Sequence, residues 1–126
     1  MAVTKRPIIV CLCGSTRFTA AFQLANLHET LAGKIVLSVG CDFKSDDALN
    51  LTKADKARMD ELHLRKIDLA DEVLILDVEH YIGSSTAREL AYAVSHHKRV
   101  RFLSNELAAE LGPHLSSALV AGLEEE

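Results

Sequence analysis

The sequence predicts an α/β domain in which helices cover both faces of a parallel sheet of four to five strands. Short apolar runs rich in branched residues, as at 8–13 and 73–76, alternate along the chain with longer segments of helical spacing. Glycines and polar residues punctuate the junctions. At 126 residues the chain has the length of one domain with one core, read as spanning 1–126. Right-handed crossovers through the intervening helices make a doubly wound, Rossmann-like sheet the natural packing of such an order.

Residues 8–13 form the first strand, ended by Gly14. Residues 18–32 show helical spacing through Phe18, Phe22 and Ala25, and Gly33 supplies a stop. The second strand is placed at 35–39 and closed by Gly40. Residues 41–53 are polar, with Asp42, Lys44, Asp46, Asp47 and Asn50, and read as a mobile loop. A long helix follows at 54–70, its apolar positions including Met59, Leu62, Ile67 and Ala70. The third strand covers 73–76, a helix 86–97, the fourth strand 99–103 and a helical segment 105–111. Gly112 and Pro113 break that segment. A last amphipathic helix at 115–123 precedes the acidic residues Glu124, Glu125 and Glu126.

Composition removes several classes of function. A net charge of -4 leaves no general basic character for nucleic-acid binding, and with no tryptophan and six Phe and Tyr there is little to build a base-stacking platform. No apolar run is long enough to cross a membrane, and the N-terminal run reads as a strand and not as a signal peptide. The three cysteines, Cys11, Cys13 and Cys41, match no zinc-site spacing. Cys11 and Cys13, two apart on a strand, share a face and read as small core residues in a reducing, cytoplasmic setting. No metal or cofactor is expected.

In a sheet of this kind ligands bind beyond the carboxyl ends of the strands, where strand order reverses. Three segments reach that edge: Gly14-Ser15-Thr16-Arg17, the loop 40–47, and 77–89. The first opens a helix, so its amides and dipole favour an anion, with Arg17 offering a planar fork of donors. The same residues suit an ordinary strand-to-helix junction with Ser15 or Thr16 as cap. They form neither a P-loop nor a dinucleotide fingerprint. In Gly83-Ser84-Ser85-Thr86-Ala87-Arg88-Glu89, Glu89 falls on the first turn of the next helix. There it is either half of a capping box with Ser85 or Thr86, or a carboxylate turned into the cleft and able to attack a sugar carbon. Asp77 ends an apolar strand, where a carboxylate serves a cap or a ligand. His63, four residues from both Met59 and Ile67, edges an apolar stripe as a core residue or a ligand contact. Asp60, Glu61, Arg65 and Lys66 read as a solvated face.

Cys13 to Arg17, Ala70 to Asp77 and Gly83 to Ala93, taken together, resemble the nucleoside 2-deoxyribosyltransferase family, whose superfamily includes nucleoside 5'-monophosphate N-glycosidases. The resemblance spans residues 8–103 in order and spacing. It implies a flavodoxin-like fold and a small-molecule nucleoside or nucleotide as partner. It also implies that Glu89 is the nucleophile at the anomeric carbon, with retaining chemistry by two displacements. Gly14, Ser15 and Arg17 match the loop that lines sugar or phosphate, and Asp77 matches an acidic position near base or sugar. The resemblance further implies sites completed across subunit contacts. The helix carrying Leu115, Leu119, Val120 and Leu123 offers an apolar face for a homodimer, a higher homo-oligomer or the chain's own core.

Two positions depart from the family pattern. His63 stands where an Asp protonates the leaving base, and Ser85 stands where a Gly precedes Thr86. The expected reaction is cleavage or transfer at an N-glycosidic bond. The alternative is a non-catalytic nucleotide-binding or sensing module on the same fold.

Overall fold

The computed structural model describes residues 6–39 and 50–106. In these, the chain runs β1 (Ile9–Cys13), α1 (Thr19–Leu31), β2 (Ile35–Leu37), α2 (Lys53–Leu69) and β3 (Glu72–Ile75). A 3-10 turn at Val78–His80, α3 (Ser84–Ser95), β4 (Arg99–Phe102) and α4 (Leu103–Glu106) follow. The loop at 40–47, Cys41 and the helix expected at 115–123 lie outside the described residues.

The four strands form one sheet in the order β2-β1-β3-β4, every pair parallel. The first crossover runs outward from β1 to β2. The next passes back over β1 to β3, so strand order reverses between β1 and β3. This is the Rossmann-like, flavodoxin-like winding that the alternation of elements predicts.

Side-chain alternation along the strands divides the core in two. Val10, Leu12, Leu74 and Leu76 face Phe18, Ala21 and Ala25 of the α1 region, with Leu103 of α4. On the other face Cys11, Cys13, Val73 and Ile75 meet Ile67 and Ala70 at the end of α2 and Ala93 of α3. The central strands β1 and β3 are buried on both faces, as their uninterrupted apolar runs require. Among the described residues no helix is long and apolar enough to cross a membrane.

Boundaries shift where local chemistry was unread. Helix α2 starts behind Thr52, whose hydroxyl accepts from the Asp55 amide while the Asp55 carboxylate accepts from the Thr52 amide. That reciprocal capping box is visible in the sequence as Thr52-Lys53-Ala54-Asp55. Strand β3 begins one residue early, at Glu72, because its side chain is buried in an ion cluster. Glu72 accepts from Lys34 and from Arg101, each at 2.8 Å, and Arg101 also reaches Glu29 of α1 and Glu106 of α4. Leu103, expected to end β4, instead begins α4 and packs into the core.

Candidate functional site at the carboxyl edge of the sheet

A cleft of about 340 Å³ opens at the carboxyl ends of β1 and β3, where strand order reverses. That volume lies within the roughly 300–1,000 Å³ usual for small-molecule sites. Gly14, Ser15 and Thr16 form one wall, Gly83 to Thr86 and Glu89 another, and α2 contributes Lys56, Asp60, His63 and Lys66. All eleven candidate residues sit at this edge in the expected loops or helices, and nine of them line the cleft. Arg17 and Asp77 do not.

Gly14 lets the first loop leave the sheet. A Cβ there would stand 2.9 Å from Leu76 Cβ, so a side chain would force apart two strand ends whose backbones are hydrogen-bonded, Leu76 amide to Cys13 carbonyl, at 2.7 Å. Beyond it a turn intervenes, closed by the Phe18 amide on the Ser15 carbonyl, and α1 starts only at Thr19. Phe18 is the N-cap and no side chain caps this helix, so the expected capping role of Ser15 or Thr16 is corrected. The Ser15 hydroxyl instead accepts from the Arg17 amide at 3.4 Å. Arg17 lies at the rim, its guanidinium 5.3 Å from the ring of Tyr81, which itself lines the cleft.

The second loop is corrected in the same sense. Helix α3 begins at Ser84 with Gly83 as N-cap and no side-chain cap, so there is no capping box, and Glu89 lies in the second turn, not the first. Ser84, Ser85 and Thr86 therefore occupy the first turn, where backbone amides lack intrahelical acceptors and the dipole favours negative charge. Gly83 abuts Tyr81, its hypothetical Cβ 3.2 Å from the Tyr81 hydroxyl. The left-handed backbone of Glu79 and His80, at φ 52° and 65°, turns the chain ahead of Tyr81.

Glu89 and His63 meet at the cleft floor. Glu89 Oε1 is 3.9 Å from His63 Nε2, and both side chains are largely buried, 14% and 7% exposed. Burial pushes the Glu89 carboxyl above its ordinary value, with Cys11 and Asp60 adding to the rise and His63 opposing it. Burial would lower the His63 imidazole, but the hydrogen bond and charge of Cys11 and the charge of Glu89 outweigh it and leave it raised. Beneath them lie two sulfurs: Cys13 Sγ at 3.3 Å and Cys11 Sγ at 3.7 Å from the same Nε2. A hydrogen bond from Cys13 draws the Cys11 thiol down to about 6, while Cys13 itself is raised.

Asp77 stands at the same edge but does not line the cleft. Its two oxygens accept from the Ser104 amide and hydroxyl at 2.9 and 2.7 Å, tying the start of α4 to the end of β3. Conversely, the expected solvated face of α2 is split. Glu61 and Arg65 do pair at 3.4 Å on an exposed surface, whereas Asp60 and Lys66 line the cleft. Asp60 pairs with Lys56 at 2.6 Å, and Lys66 donates to the Ser38 carbonyl at 2.6 Å. Helical spacing did hold the signal: Lys56, Asp60 and His63 recur at intervals of four and three, on one face.

The cleft thus combines helix-start amides and hydroxyls suited to an anion, two lysines, and a carboxylate–imidazole pair at its floor. This is consistent with a nucleotide-binding α/β fold. Comparison of the chain with family models, with curated proteins and with solved structures returned no match.

Proposed function

We propose that this cleft binds a (deoxy)nucleoside or nucleoside 5'-monophosphate and cleaves or transfers at its N-glycosidic bond, with Glu89 as nucleophile. The observation that carries the reading is the place of Glu89: a largely buried carboxylate at the cleft floor, 3.9 Å from an imidazole and facing the loop of Ser15 and Thr16. The resemblance of Cys13 to Arg17 and Gly83 to Ala93 to the nucleoside 2-deoxyribosyltransferase family supports the same assignment.

In this reaction a Glu89 oxygen attacks the anomeric carbon as the bond to the base nitrogen breaks. The bonding electrons leave with the base, and His63 is the neighbouring group able to supply its proton. The glycosyl ester on Glu89 is then attacked by water, giving the free sugar, or by a second base, giving an exchanged nucleoside. Asp60, also on the cleft wall, is a second acid within the same site. The amides of Ser84 to Thr86 and the lysines of α2 favour a 5'-monophosphate over the bare nucleoside.

The test is incubation with a panel of nucleosides and 5'-monophosphates, with and without a second free base, followed by chromatography for released base. Base release that disappears in Glu89→Gln is the expected result. Thermal stabilisation by one panel member with no release from any would replace this reading by the non-catalytic binding module.

A further inference from the structure

The two thiols below the cleft have no part in that reaction, yet they are arranged more specifically than core packing needs. Alternation along β1 points Cys11 and Cys13 to one face, and α2 lays His63 across them. Both sulfurs converge on a single ring nitrogen, at 3.7 and 3.3 Å. An imidazole nitrogen carries either one proton or one lone pair, so the two thiols must share it in a three-centre arrangement.

The spacing is that of a coordination polyhedron. Bonds of about 2.0–2.3 Å to nitrogen, oxygen and sulfur at tetrahedral angles place neighbouring donor atoms roughly 3.4–3.8 Å apart. The two sulfurs and Nε2 all lie within 4.8 Å of one another, and Glu89 Oε1 stands 3.9 Å from Nε2. Side-chain adjustments bring these three donors around one ion, and Glu89, which lies outside the group of mutually close donors, supplies a fourth by turning its side chain. Thiolate and imidazole ligands select a soft or borderline cation, Zn²⁺ above all. Among the described residues this is the one cluster of His, Cys, Asp and Glu that converges in this way.

We propose that Cys11, Cys13 and His63, completed by Glu89, form a binding site for a single Zn²⁺ ion at the floor of the cleft. The cysteines bind as thiolates and release two protons to solvent, and His63 binds through Nε2. The three anionic ligands leave one net negative charge around the divalent ion, facing Lys66 on the cleft wall. The ion enters from the cleft, since His63 and Glu89 line it and the sulfurs lie directly behind them. The inference does not depend on the glycosidic reaction. Where both hold, a bound ion withdraws His63 and Glu89 from chemistry, so metal loading and turnover exclude each other on one chain.

The full chain, stripped of metal and held reduced by a phosphine, is titrated with Co²⁺ and then with Zn²⁺. One equivalent of Co²⁺ is expected to produce a sulfur-to-cobalt charge-transfer band and the intense visible bands of a tetrahedral site, both removed by Zn²⁺. Competition with a chromophoric chelator should show Zn²⁺ affinity falling at least about 100-fold in Cys13→Ser, a larger loss than outer-shell changes usually cause. His63→Gln, altered on the helix and not in the strand, gives the same reading if Cys13→Ser does not fold. Glu89→Gln should keep the charge-transfer band and bind more weakly. Absence of the band, or equal Zn²⁺ affinity in wild type and His63→Gln, overturns the site. None of these readouts involves base release, so failure here is separate from failure of the glycosidic reading.

Discussion

The two edges of the sheet handle buried charge in opposite ways. At the amino edge Glu29 and Glu72 are almost wholly buried and share two cations, Lys34 and Arg101, with Arg99 a third partner for Glu72. Arg101 is further closed by Glu106. At the carboxyl edge Glu89, His63, Cys11 and Cys13 are packed together with no arginine among them. The amino-edge charges are matched within the packing, and the pairing holds the Glu29 carboxyl below its ordinary value and the Arg101 guanidinium above its own. The carboxyl-edge groups perturb one another and open onto a cleft. Compensated burial holds a fold in register, whereas crowded and shifted ionisable groups in a cleft are what reactive or metal-binding sites are made of.

The largest expected effect lies at the cleft. Glu89→Gln should reduce base release by about 10⁴-fold, as loss of a nucleophile commonly does, while leaving the urea midpoint unchanged or higher. A fall in stability with turnover intact would make Glu89 a structural residue like those at the opposite edge. Next comes Arg101→Met, which removes the cation bridging Glu29, Glu72 and Glu106 and leaves buried Glu29 with Lys34 alone among the lysines and arginines. Equilibrium urea unfolding should show a loss of roughly 3–5 kcal/mol. A near-neutral outcome would mean that the amino-edge cluster is as loosely compensated as the cleft.

Gly14→Ala sits where the core meets the cleft and brings a methyl to 2.9 Å from Leu76 Cβ. It should destabilise by about 1–3 kcal/mol through overpacking, again read by urea unfolding. The subtlest effect is acid sensitivity. Burial raises the Glu29 carboxyl, but hydrogen bonds from Arg101 and Lys34 outweigh it and hold the group below its ordinary value. Its contribution to stability is therefore complete above the unfolded glutamate value of about 4.3 and is lost as pH falls through the lower folded value. Stability measured against pH should decline less steeply below that value in Glu29→Gln than in wild type.

Much of the cleft was legible in the chain because strand ends announce themselves. Apolar runs stop at Gly14 and Asp77, and a glycine followed by hydroxyl residues precedes or opens the helices α1 and α3. Those signals bring Gly14 to Thr16 and Gly83 to Glu89 to one edge, and helical spacing along α2 marks His63, which lines the same opening. The same signals misjudge local detail, since a serine or threonine before a helix looks like a cap whether or not its hydroxyl is used. Both α1 and α3 begin without one, under Phe18 and Gly83. Asp77 shows what stays open: its position at a strand end reads as a cap or a ligand contact, and Ser104, 27 residues on at the start of α4, donates to both its oxygens.

By itself the sequence determined the parallel α/β architecture, because hydrophobic period and punctuation are local properties that survive without knowledge of neighbours. It also determined which loops reach the carboxyl edge. Only the tertiary structure decided which charges are buried and whom they meet. Glu72 and Arg101 read as ordinary polar residues until α1 carries Glu29 over the sheet, and Cys11 and Cys13 read as core until α2 brings His63 across 50 residues of chain. Such meetings depend on the register between elements and on long-range crossovers. No window of sequence contains that information, because the energies involved arise only when burial removes water from groups far apart in the chain.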